Sequence, residues 1–170
     1  AGAGNATLNG ALASGGTVTL DVPRIVIIDA AGAATAVLTV TGTDVYGIPM
    51  SEAITLNGTT AVSGKKAFKT ITSIAASAAA TDFFVGTGDV FGLPIRADSR
   101  NYVLTAWGGA FVTTGTFTAA VTTSPATTTT GDVRGTFAPA DAADGSKRLT
   151  LWVFVVDDDT QTGLYGVTQA

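Results

Sequence analysis

The amino-acid sequence predicts an all-β chain, a single-domain antiparallel β-sandwich or jelly-roll-like arrangement with an extended N-terminal arm. Three observations predict it. Short runs rich in Thr, Val and Ile alternate along most of the 170 residues. Gly, Pro, Asn or Asp punctuates these runs at short intervals. Hydrophobic residues make up 46% of the chain against 13% charged, too apolar for a disordered polymer. A chain of this length suits one domain, which buries roughly 70% of its unfolded surface without disulfides or metals. We divide it into an arm at residues 1–16 and a β-sandwich domain at residues 17–170.

The arm, AGAGNATLNGALASGG, is Gly, Ala, Asn and Ser with two isolated leucines, Leu8 and Leu12. It has no basic stretch and no compact apolar stretch, so it does not read as a signal peptide. It reads as a weakly ordered segment, either frayed or laid across a neighbouring subunit. Strand signals begin at residue 17. Residues 17–22 and 24–29 are β-branched runs divided by Pro23, which predicts a kink or an edge because proline cannot donate to a ladder. Residues 35–41 (TAVLTVT) alternate and place Ala36, Leu38 and Val40 on one face. Residues 50–56, 82–85, 101–107, 116–123 and 132–137 are further short strands.

Residues 67–80 (AFKTITSIAASAAA) fit two periods. Phe68, Ile71, Ile74 and Ala78 have helical spacing, whereas the first half alternates with β-branched residues. We expect a strand to about Ile74 and a turn after it, with a helix as the alternative. Residues 148–156 give the clearest strand: Leu149, Leu151, Val153 and Val155 face one way, Thr150, Trp152 and Phe154 the other. Both faces look covered, which predicts a central position. Residues 124–131 (SPATTTTG) and 138–146 (APADAADGS) read as loops.

The composition also restricts chemistry. There is no His, no Cys and a single Glu, Glu52. General acid–base catalysis near neutral pH relies mostly on His, and thiol chemistry and most transition-metal sites need Cys or His. We therefore expect no enzyme, no cofactor and no metal site. The net charge of −4 gives no electrostatic reason to bind nucleic acid directly. The strongest apolar run, residues 149–156, is far shorter than the roughly 20 residues of a membrane-spanning helix.

Motif tests point the same way. Residues 86–92 (GTGDVFG) miss the dinucleotide-binding glycine spacing by one residue. Ser63-Gly64-Lys65-Lys66 lacks the upstream Gly and the Ser/Thr of a phosphate-binding loop. We read it as a solvated basic turn, with Lys65, Lys66 and Lys69 free to pair with acidic groups on a partner. Asp157-Asp158-Asp159 offers oxygen ligands but does not follow a calcium-loop pattern, so a solvated acidic turn is the better reading. Trp107 and Trp152 sit on strands, where packing is commoner than sugar stacking.

An internal echo links residues 44–49 (DVYGIP) and 89–94 (DVFGLP). Asp, an aromatic and Gly make a plausible turn cassette, and we take the echo as a recurrent turn rather than a duplicated half-domain. The stretches TVTGTDVYGIPMSEAITLNGTTAVSGKKAFKTITSI (residues 39–74) and VGTGDVFGLP (residues 85–94) resemble virion structural proteins of tailed bacteriophages. So do TTGDVRGTFAPADAADGSKRLTLWVFV (residues 129–155) and GLYGVTQA (residues 163–170). These blocks cover well over half the chain.

The resemblance implies a small head-associated component, a decoration or cement protein, made in the host cytoplasm and placed on the outer surface of the phage head. It implies the major capsid protein as partner, and shell symmetry suits self-association as a homotrimer. It supplies no catalytic residues. The expected partner contacts are Asn5, Leu8 and Leu12 in the arm and Thr127, Thr128 and Thr129 in the Thr-rich loop. A neck or tail component is the alternative within virions. A surface carbohydrate-binding or adhesion module, using Trp107, is the alternative of a different class.

Overall fold

A computed structural model describes residues 3–80, 82–155 and 163–170. Among these, twelve strands and one 3-10 turn (Arg100–Tyr102) form two wholly antiparallel sheets, with no α-helix. Among the described residues, no helix is long and apolar enough to cross a membrane.

The large sheet is built on its two longest strands, β3 (Thr17–Ala30) and β6 (Val62–Ala76). Two very short strands precede them in the chain: β1 (Gly4–Asn5) adds to β6, and β2 (Ala13–Ser14) adds to β3. β4 (Val37–Thr43) pairs with β6 and with β5 (Pro49–Thr55), the strand at that end of the sheet. On the other side β3 pairs with β7 (Phe83–Gly92). The second sheet holds β8 (Val103–Trp107) between β9 (Ala110–Val112) and β12 (Leu149–Val153). β10 (Thr116–Thr118) and β11 (Thr136–Ala138) complete the large sheet beyond β7.

Alternation explains the layering. In β4 and β5 every second residue is buried: Leu38, Val40 and Gly42 meet Ile54, Glu52 and Met50 across the ladder. Leu38, Val40, Met50 and Ile54 join Val26, Ile28, Phe68, Ile71 and Ile74 in one core, so the large sheet curls around its own inner face. A second core of Leu93, Ala97, Val103 and Phe137 takes the inner face of the small sheet through Leu149, Leu151 and Val153. The small sheet thus covers one end of the curled sheet, and the whole is a β-sandwich.

Four expectations change in detail. Pro23 does not divide two strands; it lies in a stretch of β3 that leaves the β6 ladder between Thr19 and Arg24, where a missing N–H costs nothing. The helical alternative for residues 67–80 fails, because Ala75 and Ala76 pair with both β1 and β4 and extend β6 past Ile74. The strand at 149–153 is an edge strand, not a central one: its inner residues pack on the second core, and Trp152 and Phe154 stand in solvent. The echo has two structures. Asp44 Oδ1 accepts the N–H groups of Tyr46 and Ile48, and Gly47 takes φ +79°, which makes a turn, whereas Asp89–Gly92 continues β7. The two copies touch, since the Tyr46 hydroxyl donates to the Pro94 carbonyl at 2.6 Å.

Gly42 fixes how closely β4 approaches β6. A Cβ there would lie 1.9 Å from the Thr70 carbonyl oxygen, a backbone atom that cannot swing away. Gly42→Ala is expected to cost about 2–3 kcal/mol in urea-unfolding free energy. Gly86→Ala in β7, where an added Cβ meets nothing within 4 Å, is the matched control and should cost far less.

Candidate functional site

Two features stand out from the scaffold: a chain of buried charges and an exposed aromatic face. The first grows from a bulge. Pairing between β3 and β6 jumps from Ile25–Ala67 to Ile27–Ser63, so β6 spends four residue steps where β3 spends two. The extra residues release main-chain N–H groups that no strand can take, and such groups must find other acceptors when buried. Glu52 Oε1 accepts the Lys65 N–H at 2.5 Å and Oε2 accepts the Lys66 N–H at 3.2 Å. Asp132 Oδ2 accepts the Ala67 N–H at 3.0 Å, and its Oδ1 accepts the Arg134 N–H at 2.8 Å. Gly64 leaves the space: a Cβ there would sit 2.7 Å from Glu52 Oε2.

The charges continue from there. Lys66 is fully buried, as are Glu52 and Asp132 within a few per cent. Among the described residues, Lys66 Nζ donates only to the Ala170 main-chain oxygen, at 3.4 Å. Arg134 pairs with Asp44 at 2.9 Å, both side chains buried, and Gln169 Nε2 donates to the same carboxylate oxygen at 3.4 Å. Burial pushes the Glu52 carboxyl above the ordinary carboxylate range, against the pull of the Lys65 and Lys66 N–H groups. Burial does the same to Asp132, against the Ala67 and Arg134 N–H groups. It pulls the Lys66 amine down, opposed by the charges of Glu52 and Asp132.

Reading 63–66 as a solvated basic turn is therefore overturned. These residues belong to β6; Lys66 is buried, Lys65 Nζ donates to Thr129 O, and Lys69 Nζ donates to Leu20 O and Asp21 O. One signal was present: Glu52 falls in phase with Met50 and Ile54, the buried positions of its strand. Nothing in the sequence links it to Asp132, which lies eighty residues later.

The expected contact residues sit in two separate places. Asn5 is exposed and pairs with Ala75, Leu8 packs against the first core, and Leu12 is exposed. They border a groove of about 680 Å³ between residues 5–13 and the start of β7. Thr127, Thr128 and Thr129 form a turn over the outer edge of β5, where Thr128 O accepts the Ala53 N–H at 2.9 Å. Ala170 O accepts the Ser51 N–H beside it at 2.6 Å. Together these segments satisfy donors of a sheet edge that would otherwise invite pairing. Asp157, Asp158 and Asp159 lie outside the described residues.

The aromatic face belongs to the small sheet. Its register puts Leu104 opposite Trp152 and Phe111 opposite Ala106, all on the outer side. Phe111 is 74% exposed and Trp152 43%, and their rings stack at 5.3 Å with 30° between planes, roofing Ala106. Leu104, Phe154 and Val155 add exposed apolar area, and none of these side chains is charged. Trp107, the aromatic that the carbohydrate-binding alternative would use, lies on the inner side of β8 in register with Leu149 and is half-buried.

Comparison with protein-family models, curated proteins and solved structures finds no match in any of the three. The fold and its surface define an all-β sandwich with a buried charge network and a neutral aromatic face.

The raised Glu52 carboxyl makes a pH prediction. Native protein takes up this proton before the unfolded chain does. The stability this contributes is fully present below the ordinary Glu value of about 4.3 and is lost as pH rises through the raised value. Lowering the pH from 7 to 4.5 should therefore favour the wild type more than Glu52→Gln, compared by urea unfolding at each pH. Equal pH responses would mean that Glu52 is ionised alike in both states.

Proposed function

We propose that this chain is a decoration or cement protein of a tailed-bacteriophage head. It binds the assembled shell of major capsid protein and stabilises it through repeated weak contacts. The observation that carries this reading is the exposed aromatic face of Phe111, Trp152, Leu104 and Phe154. Aromatic side chains concentrate at the centres of protein interfaces, and an uncharged face loses little hydration on contact. The resemblance of residues 39–74, 85–94, 129–155 and 163–170 to phage virion proteins supplies the partner.

The size of the face suits multiplicity. Three strands about 4.8 Å apart and up to five residues long cover roughly 200 Å². A stable pairwise interface needs about 800 Å² on each partner. One such contact is weak, but many on one shell, or several joined by self-association as a trimer, act at high effective concentration. A protein that binds the closed shell and not its separated subunits stabilises the shell by linkage, by about 2.7 kcal/mol per site at a hundredfold excess over Kd.

The test uses shells of the encoding phage that lack this protein. Added wild-type protein should bind in fixed proportion to the major capsid protein. Phe111→Ala/Trp152→Ala should bind at least tenfold more weakly at subsaturating concentration while unfolding at a similar midpoint, since both rings are exposed. Equal binding by the double variant would remove the aromatic face from the interface, and absence of the chain from purified virions would end the virion reading. The stacked Phe111–Trp152 pair also favours a second reading, a glycan platform, which predicts reproducible glycan-array binding lost in the same variant.

A further inference from the structure

The environment of Lys66 raises a question that shell binding does not answer. An ammonium has three donors and is costly to bury unless each finds an acceptor. Lys66 Nζ, fully buried, has one acceptor among the described residues, and that contact is long at 3.4 Å. Two carboxyl groups meanwhile flank its main chain. Glu52 Oε2 is 3.2 Å from Lys66 N, and Asp132 Oδ2 is 3.0 Å from the next main-chain nitrogen, that of Ala67.

We propose that Lys66 and Asp132 join in an intramolecular isopeptide bond, with Glu52 as the proton carrier. In the unreacted arrangement Nζ rests on Ala170 O. A lysine stem extends about 6 Å from its Cα, long enough to span to a carboxyl that contacts the adjacent main-chain nitrogen.

The groups have the properties the reaction needs. Attack requires a neutral amine, and burial disfavours the ammonium. The electrophile must be a protonated carboxyl whose oxygens are held by fixed donors. Asp132 is buried with one N–H on each oxygen, from Ala67 and Arg134, which stabilise negative charge as it develops on the oxygen. The proton carrier must give and receive a proton away from water. Glu52 is buried in the same cluster, and burial raises its affinity for a proton.

The step balances. The neutral amine of Lys66 attacks Cγ of the protonated Asp132 carboxyl, forming the C–N bond. Glu52, entering as carboxylate, takes a proton from the attacking nitrogen and delivers it to the departing hydroxyl. The C–OH bond breaks, water leaves, and Glu52 returns to its starting state. No oxidant, reductant or activating group is consumed. The product replaces two buried ionisable groups with one neutral amide and ties β6 to the 124–134 segment.

Intact mass spectrometry of the purified, denatured wild-type chain tests this independently of any shell. We expect a mass about 18 Da below that of the sequence, one water lost as the amide forms. Proteolysis should then release a branched peptide joining the Lys66 and Asp132 segments. Lys66→Met should return to its full sequence mass, and Glu52→Gln should remain largely unlinked. A wild-type mass equal to its sequence overturns the proposal. So does a water loss that survives in Lys66→Met or maps to Asp144-Gly145, where cyclisation of an Asp-Gly pair also releases water. Full linkage in Glu52→Gln would overturn the role given to Glu52.

Discussion

The Lys65 and Lys66 N–H groups lie where β6 bulges out of the β3 ladder and that of Ala67 borders the bulge, and two carboxylates from distant segments take them up. Each partner constrains the other. Without the bulge, Glu52 would be a buried charge facing a regular strand. Without Glu52 and Asp132, the bulge would bury unpaired donors at about 1–3 kcal/mol each. β5 brings Glu52 and the segment after the Thr-rich turn brings Asp132, so the bulge ties together both sides of the curled sheet. Arg134 and Asp44 extend the tie to the Asp44–Ile48 turn and to Gln169 in the last described segment. A buried charge chain adds less net stability than an apolar core of equal volume, but removing one member leaves the next uncompensated. It fixes which segments meet rather than how tightly they hold.

How much of this is legible in the sequence depends on the range of the interaction. Leu38 and Val40, Met50 and Ile54, and Leu149, Leu151 and Val153 face inward because alternation is a local property of a strand. The position of β12 was misread because alternation does not say whether an outward face is covered. Trp152 and Phe154 are apolar enough to suggest a second layer, yet they face solvent. The DVYGIP and DVFGLP copies show the same limit: Asp44 caps a turn and Asp89 continues a strand, because neighbours outside the motif decide between them. Lys66 carries the largest change. A Gly-Lys-Lys run reads as surface in isolation, and only the bulge and the two carboxylates account for its burial.

The arm and the Thr-rich loop were singled out as contact segments because they are small, polar and loosely patterned. In the folded chain both serve the protein's own sheets. β1 extends β6 through Asn5, and Thr128 covers the edge of β5. The same physics that makes such segments adaptable to a neighbour lets them close an exposed edge in their own subunit. The aromatic face is a further exposed surface; within it Trp152 and Phe154 read from the sequence as covered, and Phe111 is not singled out there. A contact of that size draws strength from repetition, as a shell provides.

The central claim, that carboxylates rather than strands hold the β6 bulge, is tested most directly by residue-resolved amide hydrogen exchange. The account predicts that the Lys65, Lys66 and Ala67 amides exchange as slowly as those of Ile74 and Ala75, which pair in unbroken register with β4. In Glu52→Gln the first two should speed up and Ala67 should not. Exchange of all three at the rate of the 138–146 loop in the wild type would contradict it.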